Sequence, residues 1–579
     1  MDRWIVDSRP SRRYPIYTRA NVGEVFPDPV TPLSATIGIT SNAEPGWRDA
    51  FERFGVIELD EYDPANNEII GVFGGYCYLN VTLSRIVGVR TPGLTPEMID
   101  ATFFGAQPGV PPYQPQPTDE RPDLTERIGA TLQWILTTPD LADLMAEQRA
   151  MESLRDSRPA LDELTDAQLV DRLRSLMGDH FRRLFGEHIF ITYCATVPTG
   201  ILQQAAVAAG DPTMAMRLIA GVGDVESAQP SMLMWDLGRI AAGSASLSAE
   251  FAAGVAGLPT RLDALAVSGD EDAQRFKKGF DAFLHEHGCR GPNEWEMRSP
   301  SWETHPELAL AAIDRMRLSP ESAAPRQQQA DRAAEREALG SALVAALADD
   351  PEAQGQVMAA LHAATVFLAG RERSKTNAIR LVHECRVAMQ ELGHRMVERG
   401  IFETPGEYGM LREDELDAFL ADPAGMAGEL RAREAAYSEL AVLEPPFVFE
   451  GEPPPMASWP RRDERQVAVA QPGEVLEGVP GCPGVARGIA RVIASSHDPG
   501  ALEPGDILVA EITDPSWTPL FVPSAGVVVN VGAPLSHAII VSRELGIPCV
   551  VSVTDATKRI ADGSLVEVNG DLGTVTVVG

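Results

Sequence analysis

Two runs of this sequence combine residue types and spacings that could move a phosphoryl group. The first is VNVGAPLSHAIIVSRELGIP, from Val529 to Pro548. It reads as a strand, a glycine-containing turn, and a helix with His537 in its first turn. Helix N-termini offer free N–H groups and the positive end of the dipole, a setting suited to anions. The same field disfavours imidazolium, so His537 is expected to be neutral and nucleophilic, able to accept a phosphoryl group. A lone histidine at such a place more often caps or packs, and that reading stays open here. The second run is Arg371-Glu372-Arg373-Ser374-Lys375. If residues 366–395 are helical, Arg371 and Lys375 are i,i+4 neighbours, and two adjacent cations are explained by an anion between them. A phosphoryl group in transfer would serve. The competing reading is a solvated helix face with Glu372 and Glu384 as counter-charges.

These side chains need elements to hold them. The chain has 579 residues, enough for two or three domains. At 44% hydrophobic and 23% charged it has an ordinary globular composition. Its 83 acidic and 49 basic residues leave a formal charge of −34, which argues against nucleic acid or an anionic membrane as partner. The six cysteines are scattered without a C-x-x-C pair, so neither a disulfide framework nor a metal site is expected. No run of 18 apolar residues and no leader-like h-region occurs, and a cytoplasmic location is expected. Prolines at 445, 446, 453, 454, 455 and 460 mark residues 444–472 as an extended tether. Residues 1–443 form one large domain. Its first hundred residues read as mixed strand and loop and the rest as mainly helical, with a capping box at Thr165-Asp166-Ala167-Gln168 and Leu169, Leu173, Leu176 and Leu184 at helical spacing. Residues 473–579 switch to short β-type runs such as Ile507-Leu508-Val509-Ala510, with one helix from about Ser536 to Leu545 stopped by Gly546 and Pro548. The expected class is α+β multidomain: a large, mainly α-helical acceptor-binding domain and a small C-terminal swivelling α/β domain.

Residues 475–579 resemble the swivelling phosphohistidine domain of phosphoenolpyruvate synthase, pyruvate phosphate dikinase and rifamycin phosphotransferase. The resemblance rests on GAPLSHAIIVSRELGIPCVV, on Thr513-Asp514-Pro515-Ser516-Trp517-Thr518-Pro519-Leu520, and on Cys482-Pro483-Gly484-Val485-Ala486-Arg487-Gly488. It departs at Ala533, usually a second glycine, and at Ser542, usually alanine. Upstream, Thr18-Arg19-Ala20-Asn21-Val22-Gly23-Glu24 and the residues to Leu33 are similar to the opening of the acceptor-binding domain of rifamycin phosphotransferases. Phe283 to Glu294 is close to that family's G-H-R-G-x-x-E run, and Arg371 to Lys375 to its R-E-x-x-K motif. Residues 100–270 and 300–365 match only loosely.

The resemblance implies that His537 carries the phosphoryl group, with Ser536 and Arg543 in support. It places Arg371 and Lys375 at the transfer site, and Arg19, Asn21, Glu24 and Arg290 as substrate-binding residues. The implied acceptor is a small, hydroxylated aromatic molecule, as in phenylphosphate synthases and hydroxyphenylethanone kinases. A phenol needs a base, and His287 and Glu294 are the candidates. With no Gly-rich nucleotide block before residue 18, the expected source of the phosphoryl group is ATP with Mg2+, cleaved to AMP and phosphate on a separate ATP-grasp subunit. Rival readings are a component of an ansamycin-antibiotic phosphotransferase and a non-catalytic binding or regulatory protein. Lys375 is taken as a surface cation, so Lys375→Ala is expected to change stability by no more than about 0.5 kcal/mol.

Overall fold

The computed structural model describes residues 5, 7–104, 109–211, 213–223, 225–462, 467–496, 502–532 and 536–578. Two sheets and a helical body make up the α+β multidomain architecture. The N-terminal sheet is antiparallel, in the order β2-β3-β1-β4, with β1 Ile16–Thr18, β2 Ile70–Phe73, β3 Tyr76–Asn80 and β4 Val448–Glu450. The first hundred residues hold more helix than their composition suggests. Ser34–Ala43 forms a π-helical segment that runs into the helix Glu44–Phe54. Thr36, Ile37, Ile39 and Thr40 have poor helix propensity, which hid this segment, and burial of Ile37 and Ile39 overrides that propensity.

The body is built on α1 (Asp179–Ala208), α2 (Gln229–Gly243), α3 (Glu271–His287), α4 (Pro306–Arg317), α5 (Pro325–Ala346) and α6 (Pro351–Glu398). Helix α6 begins with Pro351 at its first position and with Asp350 accepting the Ala353 N–H at 3.1 Å. Its central segment is the axle of the body. Phe367, Leu368, Ile379, Leu381, Val382 and Met389 are buried in it, and so are the charged Glu372, Arg373, Glu384 and Arg386. A solvated face is therefore excluded for the R-E-x-x-K run.

The C-terminal module is an eight-stranded sheet in the order β5-β12-β11-β7-β8-β9-β10-β6. Strands β7 (Val485–Ile493), β8 (Ile507–Ala510), β9 (Gly526–Val529) and β10 (Cys549–Val551) are parallel; β5 (Val475–Glu477), β6 (Val479–Cys482), β11 (Leu565–Asn569) and β12 (Thr574–Val577) join antiparallel. Strands β8, β9 and β10 are buried at every residue, as continuous apolar runs in a covered parallel sheet should be. Helix α7 (His537–Leu545) follows β9 and ends at Gly546, whose φ of 67° is the left-handed C-cap glycine adopts readily.

The module is docked on the body. Trp517, Leu520 and Phe521 share one apolar core with Trp235, Leu310 and Ile313 of α2 and α4. The proline-rich segment is not free along its length. Strand β4 pairs with β1, the Tyr78 hydroxyl donates to the Pro446 carbonyl at 2.8 Å, and Trp459 is buried beside Tyr76. The Glu444 N–H donates to Pro460 and the Arg462 N–H to Val442. The prolines flank β4, an edge strand, and none interrupts its pairing. From Ala470 on, the backbone bonds to the module. The connector expected over 444–472 thus shortens to residues 463–469, of which 463–466 lie outside the described residues.

Candidate phosphoryl-transfer site

His537 sits where module and body meet. Its Nε2 lies 2.9 Å from Thr518 Oγ1 and its Nδ1 3.2 Å from Thr513 Oγ1, and Phe521 packs edge-on at 5.9 Å. Hydroxyls can donate or accept, so the two threonines hold the ring in place in either neutral tautomer. Burial and the nearby Lys375 ammonium push the His537 pKa down to about 3, with Glu372 and Glu294 opposing and Arg290 assisting. The imidazole is therefore neutral with a free electron pair, as expected. The main causes are desolvation and a cation on another element.

The body supplies the charges. Lys375 Nζ is 2.9 Å from Glu294 Oε1, Arg290 Nη1 is 3.0 Å from both Glu294 oxygens, and Arg290 Nη2 donates to Thr376 Oγ1 at 2.9 Å. Arg371 Nη1 lies 2.9 Å from Glu372 Oε1. Burial raises the Glu294 pKa, but Arg290 and Lys375 outweigh it and the net shift is downward. Arg371 and Lys375 both act on Glu24 and on His188, so the i,i+4 pair does share one face of α6, turned toward the N-terminal segment and α1.

Glu24 reaches the site from the other side. The His537 backbone lies close enough to influence its carboxylate, while Oε1 is buried with no hydrogen-bond partner among the described residues. Burial pushes its pKa up to about 8 against the downward pull of that backbone, Arg371 and Lys375. Asn21 has a positive φ of 61°, and its carbonyl accepts the Glu24 N–H at 2.9 Å, which turns the short helix inward. Arg19 is committed to structure rather than to a ligand. It donates to the carbonyls of Cys77 at 2.8 Å, Phe26 at 2.7 Å and Pro27 at 3.2 Å, and packs over Tyr76. It anchors the loop that presents Glu24.

Two expected bases find other surroundings. Glu294 is a carboxylate clamped by two cations, and a lowered pKa makes it a poor proton acceptor. His287 is 2% exposed and packs on Phe283, its pKa pushed down to about 3 by burial, Arg290 and Arg380. Ser536 caps α7 through its carbonyl, which accepts the Ile540 N–H at 3.1 Å, and its Oγ is buried without a partner. Arg543 is buried with its Nε 3.7 Å from Glu544 Oε1, and its Nε and Nη1 have no hydrogen-bond partner among the described residues. A separate cavity of about 540 Å³, lined by Arg155, Cys289, Arg380 and His383 among others, holds none of the groups around His537. Among the described residues no cluster of three or more His, Cys, Asp and Glu could hold a metal, and no helix is long and apolar enough to cross a membrane.

Sequence reasoning passed over four further contributors. Thr513 and Thr518 stood in a quoted motif, but only the fold brings them onto the ring. Asp514 accepts the Asn293 N–H at 3.0 Å and hooks module to body, with Asn293 in the left-handed region at φ 48°. His188 stacks on Trp295 at 6.0 Å, its Nδ1 3.2 Å from Ser374 Oγ, and burial with Arg371 and Lys375 pushes its pKa to about 3. Both rings remain partly exposed beside the cations. A histidine at 188, far from any quoted motif, gave no signal.

A neutral imidazole at a helix N-terminus beside three cations is an arrangement suited to phosphoryl transfer, and two segments of the chain match phosphotransferase families. Residues 188–372 match the rifampicin phosphotransferase fourth domain and residues 502–573 the mobile domain of PEP-utilising enzymes. An uncharacterised protein of Mycobacterium tuberculosis is 29% identical over 592 residues, covering 98% of this chain and 62% of its own length. A rifampicin phosphotransferase of Streptomyces sviceus is 30% identical over 55% of this chain and 36% of its own, and the prodigiosin synthesizing transferase of Serratia marcescens 30% over 53% and 34%. The chain thus spans less than two thirds of the length of these relatives.

Proposed function

We propose that this chain relays a phosphoryl group through His537 to the hydroxyl of a small phenolic acceptor. The observation that carries the reading is the docked His537, neutral and beside Lys375, with Arg371 and Arg290 close by. In transfer the N–P bond breaks, its electron pair stays on the imidazole, and an O–P bond forms to the acceptor. Lys375 and Arg371 offset the charge spread over the three equatorial oxygens. The partly exposed rings of Trp295 and His188 support an aromatic acceptor, since a planar ring can stack there within reach of the cations. The phosphoryl group comes, in this proposal, from ATP with Mg2+ on a separate ATP-grasp subunit, which releases AMP and phosphate. Connector 463–469 lets the module travel between the two sites.

The test is intact-mass analysis with Mg-ATP, with and without the ATP-grasp partner, on wild type and His537→Ala. One phosphoryl group on wild type only, and only with the partner, is the expected result. Uptake by His537→Ala, or by the isolated chain from ATP, overturns the proposal. A second reading, phosphorylation of an ansamycin, draws on the match of residues 188–372 to the rifampicin phosphotransferase fourth domain. Adding rifampicin and a panel of phenols to the loaded protein separates the two by product mass.

A further inference from the structure

We propose that Glu24 is the base that takes the proton from the acceptor hydroxyl during discharge of His537; the assignment rests on the phosphoryl-relay reading above. Three observations carry it. Glu24 is 8% exposed, and its carboxyl group lies close enough to the backbone of His537, the residue that would bear the phosphoryl group, to be influenced by it. Its Oε1 is buried and has no hydrogen-bond partner, although a buried carboxyl oxygen is ordinarily satisfied. It faces Arg371 and Lys375, the cations that would hold the group in flight.

The rival carboxylates are already spent. Glu294 is clamped between Arg290 and Lys375, Glu372 pairs with Arg371, and the Asp514 carboxylate accepts from Asn293 and Ser516. A group bound to two cations holds its proton weakly, whereas burial lets Glu24 hold one up to about pH 8. That value suits a base working near neutrality. The charged groups that act on Glu24 are Arg371 and Lys375 on α6, and the backbone of His537 on the module adds to their downward pull.

The step balances. The acceptor O–H proton passes to Glu24 Oε1 as the O–P bond forms, and the N–P electron pair returns to imidazole. The ring keeps its other N–H throughout and is neutral once that pair returns; Glu24 then yields its proton to solvent, leaving a phosphorylated acceptor and the carboxylate restored.

Loading His537 chemically with phosphoramidate makes the test independent of any partner, and phenol serves as acceptor. Glu24→Gln keeps the shape and removes the titrating carboxyl group. Single-turnover discharge should rise about tenfold per pH unit below about 8 in wild type and level off above. Glu24→Gln should discharge about 10²-fold more slowly with that rise gone, while loading to the same mass as wild type. Discharge of Glu24→Gln within threefold of wild type, with the same pH profile, overturns the assignment and leaves the relay standing. A wild-type chain whose His537 takes no phosphate overturns the relay, and the assignment falls with it.

Discussion

Lys375 shows how burial alters the expectations attached to a residue type. Its side chain is 16% exposed and pairs with a Glu294 carboxylate that is 2% exposed. Lys375→Ala is therefore no surface change, and the cost of about 0.5 kcal/mol read from sequence must be raised. Arg290 still satisfies Glu294, so about 1–3 kcal/mol is expected by urea unfolding. Discharge should fall about 10²-fold while loading of His537 survives, because in the proposed relay loading happens away from this cation. Equal discharge rates for Lys375→Ala and wild type in a single-turnover assay would remove Lys375 from the transfer step. Trp295 makes a separate prediction. Trp295→Ala takes away the face on which the proposed aromatic acceptor would stack, so KM for a phenol should rise about tenfold with loading unchanged. A KM within twofold of wild type would count against the aromatic platform.

At the scale of elements, α7 and the connector decide whether His537 can leave its docked position, as the proposed relay requires. Gly546 ends α7 at φ 67°, and a Cβ there would sit 2.3 Å from Arg332 Nε on α5 of the body. Gly546→Ala should cost about 1 kcal/mol in the C-cap, and the collision should also loosen docking. Limited proteolysis would report it as faster cleavage between residues 462 and 470. The connector itself is short: residues 463–469 reach at most about 25 Å when extended. Crosslinking the module to the body in the docked arrangement should leave one discharge event intact and stop multiple turnover. Undiminished multiple turnover in the crosslinked protein would show that the module need not move.

The whole molecule should be acid-labile, and the sign follows from its buried histidines. The His287 pKa falls from about 6.5 to about 3 on folding, so its contribution is full above pH 6.5 and is lost as pH drops toward 3. At pH 5 that amounts to about 2 kcal/mol. Burial also lowers His188, His383 and His537, which adds in the same direction. Glu24 opposes them: its folded pKa is raised, so its contribution declines as pH rises from about 4.5 to about 8. Denaturant unfolding at pH 7 and pH 5 should show a net loss of stability in acid, about 2 kcal/mol smaller in His287→Leu. An unchanged pH dependence in that variant would mean that His287 titrates normally in the folded chain.

Local chemistry made part of this protein legible. The strand, turn and helix around His537 follow from neighbours within twenty residues: valines before, a glycine in the turn, Gly546 and Pro548 after. The four-residue spacing of Arg371 and Lys375 is likewise a property of one helix, as is the Thr165 capping box, which forms with Gln168. Tertiary structure decided what those groups face. Whether Glu294 is a base or a counter-ion depends on Lys375, 81 positions away, and whether Glu24 meets His537 depends on docking two domains 513 positions apart. The proline-rich stretch was read as free because prolines lack donors, yet β1 supplied an edge on which residues 448–450 could pair. Pattern reports what a segment can form with itself. Protonation state, partners and roles are set by the dielectric and the charges that distant segments bring to it, and those exist only once the chain has folded.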